Sequence, residues 1–149
     1  MWNKKRSLLL SKIAVIIFMG LLAVIMFMAP QAFYWITGLD ITRNINYKMW
    51  FLITVYSGGL VAALILYCLY RLLHNMGKGK IFVGANTRYL RIISWLCFAG
   101  AAISAASAVY FVKWCVIGAV AAFMGLIVRV IKNVIAEAIA LKEENDYTI

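Results

Sequence analysis

An all-α integral membrane protein, a bundle of four helices, is the fold class this sequence predicts, and three observations predict it. Of 149 residues, 66% are hydrophobic, well above the share of roughly one half in soluble domains. Only 13% carry charge. The uncharged residues also gather into four stretches near the length, about 20 helical residues, that crosses a hydrocarbon core of roughly 30 Å. A soluble fold of this size could not hide so much apolar surface, and a disordered chain would need the opposite composition. One proline, ten glycines and no low-complexity tract exclude collagen-like and linker-rich architectures. A single membrane domain over residues 1–149 is expected.

The first span is expected from about Leu9 to Ala29, with Lys12 able to snorkel to the interface. Lys4, Lys5 and Arg6 precede it as they would a secretory signal, but the apolar run is longer than a signal's usual core. Ala29-Pro30-Gln31-Ala32 puts Gln31 where a cleavage site needs a small residue, so the segment is expected to stay as an anchor. The second span is expected over 50–70, the third over 92–112 and the fourth over 114–128. The fourth continues as a helical extension and tail over 129–149, and residues 71–91 form a middle loop.

The formal net charge of +10 could signal nucleic acid, anionic lipid or membrane topology, and position decides. Twelve basic residues fall in the N-terminal segment, the middle loop and the C-terminal segment, against only Arg43, Lys48 and Lys113 elsewhere. The positive-inside bias therefore predicts a multi-pass cell-membrane protein with both termini and the middle loop cytoplasmic. An even number of spans requires the same. Attraction to anionic lipid of the cytoplasmic leaflet follows, at about 1 kcal/mol per basic residue near the surface. Direct nucleic-acid binding is not expected. Trp35, Trp50, Trp114, Tyr34, Tyr47, Tyr70 and Tyr110 lie near the span ends and read as interface anchors.

Little in the spans suggests chemistry. Cys68, Cys97 and Cys115 fall on three different spans with no CxxC pair, so neither a redox motif nor a zinc site has workable ligand spacing. Cys68, near the cytoplasmic end of its span, is a weak candidate for acylation. His74 lies in the basic loop without a nearby carboxylate. Asp40 falls in an outer loop and Glu137, Glu143, Glu144 and Asp146 beyond the last span, so the intramembrane charge typical of ion-coupled transport is missing. Ser57, Ser94, Ser104 and Ser107 have no base and orienting group beside them. The reading is not an enzyme, with no cofactor and no metal.

Small residues do form a pattern. Gly100-xxx-Ser104-xxx-Ala108 places small groups on one face of the third span, and Gly59-xxx-Ala63 and Gly118-xxx-Ala122 offer similar strips on the second and fourth. Such strips let helix backbones approach closely. Packing within one bundle is the favoured use, and a homo-oligomer through the Gly100 to Ala108 face is the alternative.

Two cytoplasmic segments look more specified than topology requires. In the middle loop, the Gly77 to Gly79 turn leads to an apolar Ile81-Phe82-Val83 plug. A helix can start near Ala85, with Arg88 and Arg91 one turn apart at the membrane surface. A phosphate-binding loop is excluded by the spacing and by the lack of a preceding strand. Past the fourth span, Ile127, Ile131, Val134, Ala138 and Leu141 alternate in steps of four and three, an apolar stripe on an emerging helix that something must cover. The acidic tail Lys142 to Ile149 is suited electrostatically to the basic loop, at about 0 to 1 kcal/mol per exposed pair.

At these two segments the chain resembles the bacterial DUF2975 membrane proteins, which carry a GxxFxxxNxxxLR pattern in the middle loop and end in LKxENDLTI-like tails. The matching residues are Gly79, Phe82, Asn86, Leu90 and Arg91, then Leu141, Lys142, Glu144, Asn145, Asp146, Thr148 and Ile149. Departures are Gly84-Ala85, where an acidic or polar pair commonly precedes the asparagine, and Tyr147 in place of leucine. The resemblance implies a four-span fold over essentially the whole chain and no assigned activity. It also implies a setting, since such genes commonly lie beside one for a small Cro/C1-like helix-turn-helix regulator. The expectation is a non-enzymatic regulatory or interaction partner of such a cytoplasmic regulator, with Asp146 and Ile149 as tail anchors. The rival is a small transporter, channel or immunity-type protein acting within the bilayer.

Overall fold

The computed structural model describes residues 4–37, 45–78 and 84–147. They form four helices, α1 (Lys4–Thr37), α2 (Ile45–Gly77), α3 (Gly84–Ser107) and α4 (Trp114–Tyr147). Each is long and apolar enough to cross a membrane. At 1.5 Å per residue the 34 residues of α1 and of α4 reach about 51 Å, well past a core of about 30 Å. Their exteriors suit lipid. Ile16, Phe27, Leu60, Phe123 and Val130 are all more than half exposed, a surface that water would not tolerate over such an extent.

All four expected spans lie on helices, but the ends differ for local reasons. α1 runs through Pro30 to Thr37 instead of stopping at Ala29. The proline removes one N–H that would reach the Met26 carbonyl, a loss tolerated where neighbouring helices support the segment. α2 continues through His74 to Gly77, because Leu69, Leu72, Leu73 and Met76 prolong the helical apolar spacing past residue 70. His74 is therefore helical and not in a loop. α3 stops at Ser107, five residues short of the expected 112, where the Ser107 carbonyl accepts the Tyr110 and Phe111 N–H groups and closes a tight turn. The tail, in turn, is helical as far as Tyr147.

Neighbours in sequence pack as neighbours in space: α1 on α2, α2 on α3 and α3 on α4. Among the described residues no close backbone approach joins α1 to α3 or α4. The four helices nonetheless curl around a shared cavity of about 770 Å³ lined from all of them. α3 is the most enclosed helix, and its buried residues Asn86, Leu90, Ile93, Ser94, Cys97, Ser104 and Ser107 recur in steps of three, four and seven. That is the spacing of a helix seam. Cys68, Ile93 and Cys97 form the core cluster where α2 meets α3, so the Cys68 thiol is packed inside and not presented for acylation.

Candidate functional site

Three places in the bundle bring polar or small residues together with purpose. The first is the α3–α4 seam, where Gly118 faces the Ala101 carbonyl and Ser104, and Gly125 faces Cys97 and the Ser94 carbonyl. A methyl group on Gly125 would stand 3.1 Å from the Cys97 Cβ, and one on Gly118 3.3 Å from the Ala101 oxygen. The Ser94 hydroxyl donates to the Gly125 carbonyl across the seam at 3.0 Å, a pairing open only to backbones this close. Gly118 and Gly125 lie seven residues apart, and Ser94, Cys97, Ala101 and Ser104 answer them in heptad steps.

The other small residues serve different neighbours. Gly100 looks toward Val61 on α2 and Gly59 accommodates the Met26 thioether from α1, so Gly100 and Ser104 belong to two different contacts. Ala108 lies past the end of α3, its N–H held by the Ser104 carbonyl.

The second place is a hydroxyl knot at the start of α2 and the end of α3, near Lys48 and Lys113. Thr54 Oγ1 meets Ser107 Oγ at 2.7 Å and also the Tyr110 hydroxyl. The Trp50 carbonyl is within reach of both Thr54 and Tyr110, at 3.1 and 3.2 Å, and Ser107 reaches the Ile103 carbonyl at 2.8 Å. Each hydroxyl carries one proton, so three donors serve five contacts, and a chain from Ser107 and Tyr110 through Thr54 to a carbonyl satisfies the group. Thr54 and Ile103 line both the central cavity and a second one of about 720 Å³ bounded by Asn46, Tyr47 and Trp50. The knot is thus the wall between them.

Tyr110 and Trp114, expected as interface anchors, instead turn inward. Tyr110 closes the knot, and the Trp114 ring tilts against Phe51, which in turn meets Phe33. Trp35, at 90% exposed, Trp50 and Tyr47 face outward, and Tyr34 accepts a hydrogen bond from Lys48 at 2.7 Å. Thr54, Tyr110, Ser94 and Gly125 had no part in the sequence motifs. For Gly125, the seven-residue spacing from Gly118 was the available signal.

The third place is the opposite end, where Asn86 is the largest fully buried side chain among the described residues. The Asn75 amide donates to its carbonyl oxygen at 3.3 Å, tying the end of α2 to the start of α3. Leu90 lies buried one turn on, while Arg91 is exposed. Of the loop motif, then, Asn86 and Leu90 face the interior and Arg91 the surface, and Gly79 and Phe82 lie outside the described residues. Arg71 and Tyr89 lie near each other across the same junction. His74 stacks on Tyr70 at 6.3 Å between ring centres. Lys12 comes within 3.2 Å of the place a Gly77 side chain would take, so the starts of α1 and α3 and the ends of α2 and α4 gather most of the basic residues at one end.

From that end α4 projects further. Ser94 beside Gly125 and Ser104 beside Gly118 set an antiparallel register that puts Gly84, the first residue of α3, opposite about Ala136. Every residue from Ala140 to Tyr147 is exposed, including Glu144, Asn145 and Asp146, and Ile149 lies outside the described residues. The stripe residues Ile131, Val134 and Leu141 are 44%, 63% and 60% exposed. Among the described residues no three His, Cys, Asp or Glu side chains come together as a metal site.

No match to the chain was found among curated proteins or among solved structures. A family model, described as a protein of unknown function, matches residues 6–149. A match over nearly the whole chain, on a structure of four membrane-length helices, means that this protein belongs to the DUF2975 family.

Proposed function

We propose that the protein is a non-enzymatic membrane protein, both termini in the cytoplasm, that engages a cytoplasmic helix-turn-helix regulator through the projecting end of α4. The observation that carries this reading is the length and exposure of that helix. Crossing a bilayer takes about 20 residues, yet α4 has 34, and its last turns run past the start of α3, the helix it packs against along its length. There it presents an apolar stripe beside acidic side chains, the form of a helix that docks in a partner's groove. The orientation is supported by the basic end described above, which the positive-inside bias places in the cytoplasm. The choice of regulator rests on the setting that the family resemblance implies.

The test compares the intact chain with one ending after Leu141, each carrying an N-terminal tag, by crosslinking in cells, affinity capture and mass spectrometry. A helix-turn-helix protein captured only by the intact chain supports the reading. Equal capture by both, or capture of the chain alone, removes its basis. A second reading, a small transporter, channel or immunity-type protein, draws on the cavity shared by the four helices. It predicts that blocking the cavity abolishes the cellular phenotype while truncation leaves it intact.

A further inference from the structure

The central cavity has one chemistry along its walls and another at its end. Met26, Val55, Ile65, Ile117 and Met124 line its length, and its lining on α1 extends from Leu22 to Ala32, about 15 Å of helix rise. Its volume, about 770 Å³, falls within the usual range for pockets that enclose a small organic ligand. Water does not wet walls of this kind, and an empty apolar void costs more the larger it is. Among the described residues α1 and α4 make no close backbone approach, so the row of helices is open to the bilayer along that side. A hydrocarbon chain is the filler at hand.

The end near the α3–α4 turn is different. Lys113 and Trp114 join the lining there, beside Thr54. The Trp114 indole Nε1 is buried and, among the described residues, has no hydrogen-bond partner, although a buried indole N–H ordinarily finds an acceptor. Lys113 Nζ lies 5.4 Å from the centre of the Phe111 ring, at the rim and exposed to solvent. The positive end of the α4 dipole points the same way. A cation and a helix N-terminus at the head of an apolar channel are complementary to a ligand that ends in negative charge.

We infer that the cavity is a binding site for an anionic phospholipid of the adjoining leaflet, with one acyl chain between α1 and α4 and the phosphate at Lys113. This occupant belongs to the end of the bundle opposite the basic cluster, and the site is independent of any cytoplasmic partner.

The test uses the full-length chain in a mild non-ionic detergent, supplied with phosphatidylglycerol or with phosphatidylcholine of the same acyl chains, and native mass spectrometry to count retained lipids. The expected result is one phosphatidylglycerol per chain, held in preference to phosphatidylcholine. Gly58 lines the cavity, with nothing within 4 Å of the place its side chain would take, so Gly58→Phe fills space without a clash there. It should lower lipid retention by roughly tenfold or more. Lys113→Gln, a change at an exposed position that leaves packing alone, should keep a chain bound but cut the preference for phosphatidylglycerol by roughly fivefold. A circular-dichroism melt checks that Gly58→Phe folds, and Lys113→Gln carries the test if it does not. Absence of retained lipid, no preference between the two headgroups, or undiminished retention by a folded Gly58→Phe overturns the inference.

Discussion

Replacing Gly125 with alanine adds one methyl group to the tightest part of the bundle, and the surroundings decide its cost. The new Cβ would lie 3.1 Å from the Cys97 Cβ and 3.4 Å from the Ser94 carbonyl oxygen. Neither neighbour is the far end of a flexible side chain, so α3 and α4 must separate by a few tenths of an ångström. Overpacking of this kind costs about 1 to 3 kcal/mol. Helix propensity works the other way, favouring alanine by about 0.5 to 1 kcal/mol. Separation also stretches the Ser94 to Gly125 hydrogen bond, and a bond between membrane helices averages about 0.6 kcal/mol. The net expectation for Gly125→Ala is a loss of about 1 to 2 kcal/mol. Gly59→Ala is the control. Its Cβ would meet the Met26 sulfur at 2.9 Å, but a thioether at the end of three rotatable bonds can move aside. Gly59→Ala should therefore be neutral, within about 0.5 kcal/mol. The assay is reversible unfolding in mixed micelles with increasing sodium dodecyl sulfate, followed by circular dichroism. Equal effects at Gly125 and Gly59, or a larger effect at Gly59, would refute the reasoning.

Other outcomes follow from the same geometry. Ser94→Ala loses one interhelical hydrogen bond and should cost about 0.6 kcal/mol in that assay, with little further loss when combined with Gly125→Ala, because both act on one contact. Asn86→Leu leaves the Asn75 amide at the α2–α3 junction without its acceptor and should cost about 1 to 3 kcal/mol, whereas Arg91→Gln, at an exposed position, should stay within about 0.5 kcal/mol. Tyr110→Phe removes a hydroxyl from the knot with Thr54 and Ser107. It should loosen the α3–α4 turn, read as faster amide exchange at Tyr110 and Phe111, whose N–H groups bond to the Ser107 carbonyl. A chain ending after Leu141 should unfold within about 0.5 kcal/mol of the intact one, since Lys142 to Tyr147 are exposed.

Much of the architecture was legible because a bilayer constrains sequence strongly. Every uncharged run of sufficient length became part of a helix, since an unbonded backbone cannot cross hydrocarbon. Helix ends were less legible. Pro30 marks a stop in water, but a helix among other helices tolerates it, and the early end of α3 depends on carbonyl contacts around Ser107 that no periodicity encodes. Small residues told where helices approach, but not which helix each would meet. Gly100 and Ser104 sit four residues apart and still serve α2 and α4 respectively, because α3 packs between the two. Gly125 stands seven residues from Gly118, outside the four-residue spacing of the small-residue strips. The hydroxyl knot and the inward turn of Trp114 were not legible at all, because they join residues from separate elements through the bend after Ser107. In the loop motif, the structure gives Asn86 and Leu90 an interior position that the bare pattern could not distinguish from a surface signature.

The central claim is that the projecting end of α4 does the protein's work, and crosslinking at a single position tests it most directly. A photo-crosslinking amino acid placed in cells at Val134, 63% exposed, is compared with one at Phe123, 62% exposed on the apolar half of the same helix. Equal exposure makes chemistry of the surroundings the only variable. The account predicts an adduct with a helix-turn-helix protein at Val134 and none at Phe123, where lipid surrounds the helix. Lipid or self-adducts alone at both positions would contradict it.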